Sequence, residues 1–270
     1  MADLMWRRVL KSSAREAGAF ARQAVLLPRD TLAPVVPRDV AAGDHVVVFL
    51  HGLFASAGVL RPMRQRVGRH PRIHTAAFSY LPGPGAQAIA DRLDELLTLL
   101  PSAALIHLVG HSLGGIVARY HAVKASDPRI ISTIALASPF GGVRGAKLLG
   151  FEGARDIDPD SPLLRELRLD ATAHIPHLSI IAGADMVTRD PVAHALPSGE
   201  LVVLPDLGHN TVLFDREAIS LVERRVLEIR RKLETAHVSR TAAEGAEDAP
   251  QEPGGDPSSW PERKWVNRSF

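Results

Sequence analysis

The sequence contains no cysteine among its 270 residues. Disulfides, thiolate metal sites and cysteine nucleophiles are therefore excluded, so any nucleophile must be another residue type. An excess of one charge is also lacking. The net charge is +2 and the pI is about 9.2, with Lys and Arg spread along the chain instead of clustered. This distribution argues against a nucleic-acid partner.

Long apolar runs are missing as well. Arg15, Glu16 and Arg22 interrupt the N-terminal segment, so it has no apolar core of signal-peptide length. The uncharged apolar run at residues 130–143 is too short to span a bilayer. We therefore expect a cytoplasmic protein.

The composition favours one substantial domain, because 46% of the residues are hydrophobic and 23% are charged. We expect this domain to cover residues 41–236. Residues 1–40 are predicted to form an amphipathic helix and a proline-rich connector. Residues 237–270 are rich in Ala, Glu, Asp, Pro and Gly, a composition typical of a disordered tail.

The N-terminal helix has apolar residues near helical spacing, with arginines and a lysine between them. These apolar positions are Trp6, Leu10, Ala17, Phe20, Ala24 and Leu27. Such a pattern fits peripheral contact of residues 1–27 with an anionic membrane surface. The alternative interpretation is a helix that packs against the domain or is partly frayed.

Six short apolar runs alternate with helical patterns along the rest of the chain. The predicted strands are HVVVFL, RIHTAAF, ALIHLVG, IISTIALAS, LSIIAGA and ELVVL. Strands that are apolar throughout indicate an α/β fold with a mainly parallel sheet covered by helices on both faces. Ligand chemistry in such sheets lies at the carboxyl ends of the strands.

The stretch LVGHSLGG follows the third of these strands and precedes a helical pattern. Gly-x-Ser-x-Gly alone is a weak signal, but a strand, sharp turn and helix are the context that a nucleophile elbow requires. We therefore predict Ser112 as the nucleophile. A phosphate-binding turn is the alternative, although the Gly-Lys-Ser/Thr ending of a P-loop is missing.

A serine nucleophile needs a base and a group that orients the base, in the order serine, acid, histidine for this elbow. His209 lies in the loop LPDLGHN between the last strand and the last helix, and is the predicted base. Asp185 ends a strand and is the predicted acid. Asp190, five residues further on, is the alternative, and Asp206 is a third candidate. The backbone N–H groups of Leu53, in the loop HGLFAS, and Leu113 are predicted to form an oxyanion hole.

These ordered motifs resemble the α/β-hydrolase superfamily, in particular the bacterial lipase and esterase branch that looks like small triacylglycerol lipases. The resemblance rests on VVVFLHGLFAS, LVGHSLGG, ALASPFGG, SPLLRELR, AGADMV and LPDLGHNTVL, within about residues 46–233. It implies an α/β-hydrolase fold with a small cap at about residues 140–175, in which SPLLRELRL forms one helix. The branch often has Val-Pro after the acid, whereas Met186 and Val187 follow Asp185 here.

The resemblance implies cleavage of a small-molecule or lipid carboxylic ester through an acyl-enzyme, with no metal and no organic cofactor. Thioesterase, amidase or acyltransferase activity with the same triad is an alternative, because the fold alone does not separate them. A different class of function is a catalytically silent, membrane-associated interaction module.

Overall fold

The computed structural model describes residues 2–125, 127–169, 175–188 and 190–247. The chain divides into two units, residues 1–227 and 228–270. In the described part of the chain, no helix combines the length and apolarity needed to cross a membrane.

The first unit is built around a six-stranded sheet whose strands are all parallel. The strands are β1 (His45–Leu50), β2 (Ile73–Ala77), β3 (Leu105–His111), β4 (Ile130–Leu136), β5 (His177–Ala182) and β6 (Glu200–Leu204). Their order in the sheet is β2-β1-β3-β4-β5-β6. All six predicted strands are confirmed, and with them the α/β fold class.

Helices cover both faces of the sheet, as the apolar strands require. The helices are α1 (Ala2–Leu26), α2 (Arg61–Val67), α3 (Ala86–Thr98), α4 (Leu113–Lys124), α5 (Glu152–Asp156), α6 (Pro162–Leu169) and α7 (Arg216–Glu247). Alternate residues of β1 enter two separate cores. Val46 and Val48 pack with residues of α3 and α4, whereas Val47 and Phe49 pack with α2 and the start of α7.

The predicted N-terminal helix is present, but it packs through a different face from its apolar stripe. Within residues 13–26 of α1, whose side chains the structure describes, Glu16, Ala19, Gln23 and Leu26 are the buried or half-buried positions, at helical spacing. The predicted stripe is turned by one residue, and its member Phe20 is 57% exposed. The side chains of Trp6 and Leu10 lie outside the described part.

The segment expected to form the cap contains a 3-10 helix at Ala146–Leu149, then α5 and α6, and α6 is the predicted SPLLRELRL helix. Residues 170–174 of that segment lie outside the described residues. The last helix, α7, continues to Glu247, past residue 237, where we expected a disordered tail to begin. Alanine and glutamate are the most frequent residues at positions 237–247, and both favour helix. Residues 248–270 lie outside the described part of the chain.

Candidate active site

Ser112 lies in the sharp turn between β3 and α4, at the carboxyl edge of the sheet. Its backbone has φ 52° and ψ −124°, a region that a residue with a side chain adopts only when the surrounding structure imposes it. Gly114 lets the start of α4 pack against the end of β1, because a Cβ there would fall 2.3 Å from the carbonyl oxygen of Leu50. The turn thus presents the Ser112 hydroxyl at the start of a helix, as a nucleophile elbow does.

His209 and Asp185 reach Ser112 from the loops after the last two strands. The Ser112 hydroxyl lies 3.1 Å from His209 Nε2, and His209 Nδ1 lies 2.7 Å from Asp185 Oδ2. The other oxygen of Asp185 accepts the Val187 N–H at 2.7 Å. The Asp185 side chain is 2% exposed and that of His209 is 12% exposed, so the contacts are largely shielded from water.

The other two candidate acids are placed differently. Asp190 and Asp206 are both exposed. The described contacts of His209 therefore join it to Asp185 and not to the alternative acids. All three members of the predicted triad lie together, although Asp185 and Ser112 come from strands separated by β4 in the sheet.

The segments that carry the two predicted oxyanion donors both adjoin Ser112. Leu113 is the first residue of α4, where backbone N–H groups are left without helical partners. The loop containing Leu53 packs directly on the elbow, because a Cβ added at Gly52 would fall 2.9 Å from Ser112 Cβ. Among the described backbone hydrogen bonds, neither N–H donates to another main-chain group.

His51 holds the loop that contains Leu53. Its Nε2 accepts the Tyr80 N–H at 3.0 Å, so its Nδ1 carries the proton and donates to the Gly52 carbonyl at 2.8 Å. Tyr80 also donates its hydroxyl to the His51 carbonyl. Burial lowers the pKa of His51 to about 4, which keeps the ring neutral near pH 7.

His111 holds the loop that contains His209. It donates from Nε2 to the His209 carbonyl oxygen at 2.9 Å. Burial, with the neighbouring His209 second, lowers the pKa of His111 to about 3. No separate feature of the sequence indicates this role, because His111 is one of several histidines and its partner lies 98 positions away.

A cavity of about 460 Å³ opens beside Ser112 and His209. Its walls come from α1, from the loop after β1 and from the segment before α6. Apolar side chains dominate this lining: Phe20, Ala24, Leu27, Leu53, Phe54, Val143, Ala146, Leu149 and Ile157. The contribution of α1 was missed at the sequence level, where the stripe of Phe20, Ala24 and Leu27 predicted a membrane-facing or packed surface.

Comparison with known proteins agrees with this architecture. Residues 47–173 match the model of the Alpha/beta hydrolase family. Among solved structures, the chain is similar to an esterase of Pyrobaculum calidifontis at 16% identity and a TM-score of 0.54, covering 83% of this chain and 92% of that one. No curated protein matches the chain in sequence.

Two further solved structures are similar to the chain. A metagenomic carboxyl esterase has 17% identity and a TM-score of 0.57, covering 73% of this chain and 79% of that one. The mature lipase of Bacillus licheniformis has 15% identity and a TM-score of 0.50, covering 66% of this chain and 90% of that one. Together with the parallel sheet and its serine turn, these likenesses show that the chain has the α/β-hydrolase fold, and its residues 47–173 match the alpha/beta hydrolase family.

Proposed function

We propose that this protein is a serine hydrolase of the lipase and esterase branch that cleaves carboxylic esters through an acyl-enzyme on Ser112. The observation that carries the proposal is the pair of hydrogen bonds that join Ser112 to His209 and His209 to Asp185. A serine hydroxyl is barely nucleophilic at neutral pH, and a base held in this geometry is what activates it.

In the first half-reaction, Ser112 Oγ attacks the ester carbonyl carbon while its proton passes to His209 Nε2. The carbonyl π electrons move to oxygen, and the Leu53 and Leu113 N–H groups hold the resulting oxyanion. The bond to the alkoxy oxygen then breaks, and His209 returns the proton to the departing alcohol. Asp185 orients His209 and stabilises the imidazolium.

In the second half-reaction, water takes the place of the alcohol. His209 removes a proton from the water as its oxygen attacks the acyl carbon, and the same two N–H groups hold the second oxyanion. Collapse breaks the bond to Ser112 Oγ, which recovers the proton from His209. The products are a carboxylic acid and the free enzyme.

The cavity favours an apolar acyl group. Leu53, Val143 and Ile157 line it together with Ser112, and Phe20 and Phe54, which also line it, are more than half exposed. An apolar cavity with an apolar rim suits a lipid-like ester better than a charged substrate. The similar structures are those of two esterases and a lipase, which supports the same reaction class.

The test is hydrolysis of chromogenic p-nitrophenyl esters, from acetate to palmitate, by the wild type and by Ser112→Ala. We expect wild-type turnover and a fall in kcat on the order of 10⁴-fold or more in the variant. Ser161→Ala is the matched control, because Ser161 is buried but does not line the cavity. Absence of wild-type hydrolysis, or equal activity of Ser112→Ala, contradicts the proposal.

A further inference from the structure

The carboxylate of Glu16, on α1, lies against the two residues that follow His209. Its Oε1 accepts the Asn210 backbone N–H at 2.7 Å and the Asn210 side-chain amide at 2.9 Å. Its Oε2 accepts the Thr211 backbone N–H at 3.1 Å and the Thr211 hydroxyl at 2.6 Å. One side chain from the N-terminal helix thus receives four hydrogen bonds from the loop that carries His209.

Two of the hydrogen bonds to this loop involve the same peptide group. The carbonyl of His209 and the N–H of Asn210 belong to the same planar peptide. His111 donates to the carbonyl, and Glu16 accepts from the N–H. Because that peptide begins at the Cα of His209, holding both of its ends restricts the direction in which the imidazole leaves the backbone.

The approach of Glu16 to the loop is close. A Cβ added at Gly208 would fall 2.4 Å from Glu16 Oε2, so a side chain at this position would displace the carboxylate. The helix itself is fixed nearby, since Ala19 is 6% exposed and the Arg22 guanidinium lies 4.7 Å from the centre of the Phe214 ring. The position of the carboxylate is therefore set by the docking of α1.

We propose that Glu16 is a positioning residue that holds His209 in line with Ser112, so that α1 is part of the active site; this inference rests on the function proposed above. Four donors around one carboxylate form charge-assisted hydrogen bonds, which are stronger than neutral ones. A base in a loop needs such support, because a displacement of about 1 Å at the reacting atoms costs on the order of 100-fold in rate.

The experiment compares full-length wild type, Glu16→Gln and Glu16→Ala. It measures kcat and KM with a chromogenic ester, the rate at which a fluorophosphonate probe labels Ser112, and the Tm. We expect Glu16→Ala to lower kcat by ~10- to 100-fold with KM changed by less than about 2-fold, and to slow labelling by a similar factor. Glu16→Gln should fall between the two, because one of its terminal groups still accepts and the other opposes the donors of the loop.

Ala19→Gly is the matched control, because it tests whether Glu16 affects activity only by attaching α1 to the rest of the domain. It weakens α1 on the same packed face, since glycine is less favourable than alanine in a helix, yet it leaves the Glu16 carboxylate in place. We expect its kcat to stay within about 2-fold of wild type. If Ala19→Gly lowers kcat as far as Glu16→Ala does, Glu16 only anchors the helix and the inference is overturned.

Failure of this inference can be told apart from failure of the proposed ester hydrolysis. Wild-type kcat in both Glu16 variants, with active wild type, overturns the role of Glu16 alone. A wild type that is labelled at Ser112 but hydrolyses no ester overturns the substrate class, and the labelling rates then decide the role of Glu16. A wild type that is neither active nor labelled contradicts both the proposed ester hydrolysis and the role of Glu16.

Gly208→Ala provides a second variant if Glu16→Ala does not fold, and slower labelling is again the expected result.

Discussion

The imidazole of His51 donates a hydrogen bond to the carbonyl oxygen of Gly52, the residue next to it, with 2.8 Å between Nδ1 and oxygen. The Gly52 carbonyl and the Leu53 N–H lie on opposite sides of one trans peptide. Fixing the carbonyl against His51 therefore turns the Leu53 N–H away from His51. Because Gly52 packs on Ser112, His51 sets the orientation of the peptide that we propose as an oxyanion donor.

Replacement of His51 tests this arrangement. We predict that His51→Ala lowers kcat by ~10- to 100-fold with a smaller change in KM, since a complete loss of one oxyanion donor costs on the order of 100- to 1,000-fold. His51→Asn is the matched variant, because its amide nitrogen replaces Nδ1 as the donor to Gly52. It should retain more activity than His51→Ala. Steady-state kinetics check this, and equal kcat values for wild type and His51→Ala would contradict it.

Asp185 and Asp190 give a second prediction from a pair of similar side chains. Asp185→Asn removes the charge that faces His209 Nδ1, and we expect kcat to fall by on the order of 10³- to 10⁴-fold. Asp190→Asn changes an exposed carboxylate and should remain within about 3-fold of wild type. The two variants are compared on the same ester at the same pH. A larger loss from Asp190→Asn would show that the acid has been misassigned.

The elements that the sequence predicts well are those with local signals. The apolar runs of β1 and β3 and the glycines around Ser112 each determine a neighbouring piece of backbone. The docking of α1 has no such signal. Hydrophobic periodicity selects the stripe that includes Phe20, whereas the packed face carries Glu16, whose partners lie 194 and 195 positions away.

A polar residue on a packed helix face weakens the hydrophobic periodicity from which the buried face of a helix is predicted. Glu16 is the only acidic residue between Asp3 and Asp30, in a segment otherwise rich in arginine and alanine. This isolation was the available clue to a specific partner. It does not identify the partner, because the donors of the His209 loop become neighbours of α1 only in the folded chain.

Ala24 provides a third prediction, on acyl chain length. It lies on the wall that α1 contributes to the cavity, is exposed, and is small enough that a larger residue would enter the cavity without disturbing the core. We predict that Ala24→Leu lowers kcat/KM for long acyl esters by roughly 10-fold relative to acetate, because each misplaced methylene is worth about 1–3 kcal/mol.

Ala21→Leu is the control for Ala24→Leu, because Ala21 is an exposed position of the same helix that does not line the cavity. Its ratio of long-chain to acetate activity should equal that of wild type. A panel of p-nitrophenyl esters measures both variants. An unchanged ratio in Ala24→Leu would show that the acyl chain does not run along α1.

Buried histidines give the last prediction, on stability against acid. Burial lowers the pKa of His107 and of His177 to about 3, below the ordinary value of about 6.5 in an unfolded chain. His177 Nδ1 lies 2.7 Å from the Thr133 hydroxyl, and its Nε2 lies 3.0 Å from the Ser179 hydroxyl, contacts that need no charge on the ring. Below about pH 6.5 the unfolded chain therefore binds protons that the folded chain does not.

Acid therefore lowers the stability of the folded protein through these two histidines. The stabilisation from each neutral histidine is fully present above about pH 6.5 and is lost as the pH falls towards the pKa of the folded state, near 3. Each such histidine lowers the free energy of unfolding by about 1.4 kcal/mol per pH unit within that window. Urea unfolding at pH 7.5 and at pH 5 measures the loss, and His177→Gln should reduce the pH dependence by about the share of one histidine. Equal free energies of unfolding at the two pH values would mean that these rings become protonated as readily in the folded protein as in the unfolded chain.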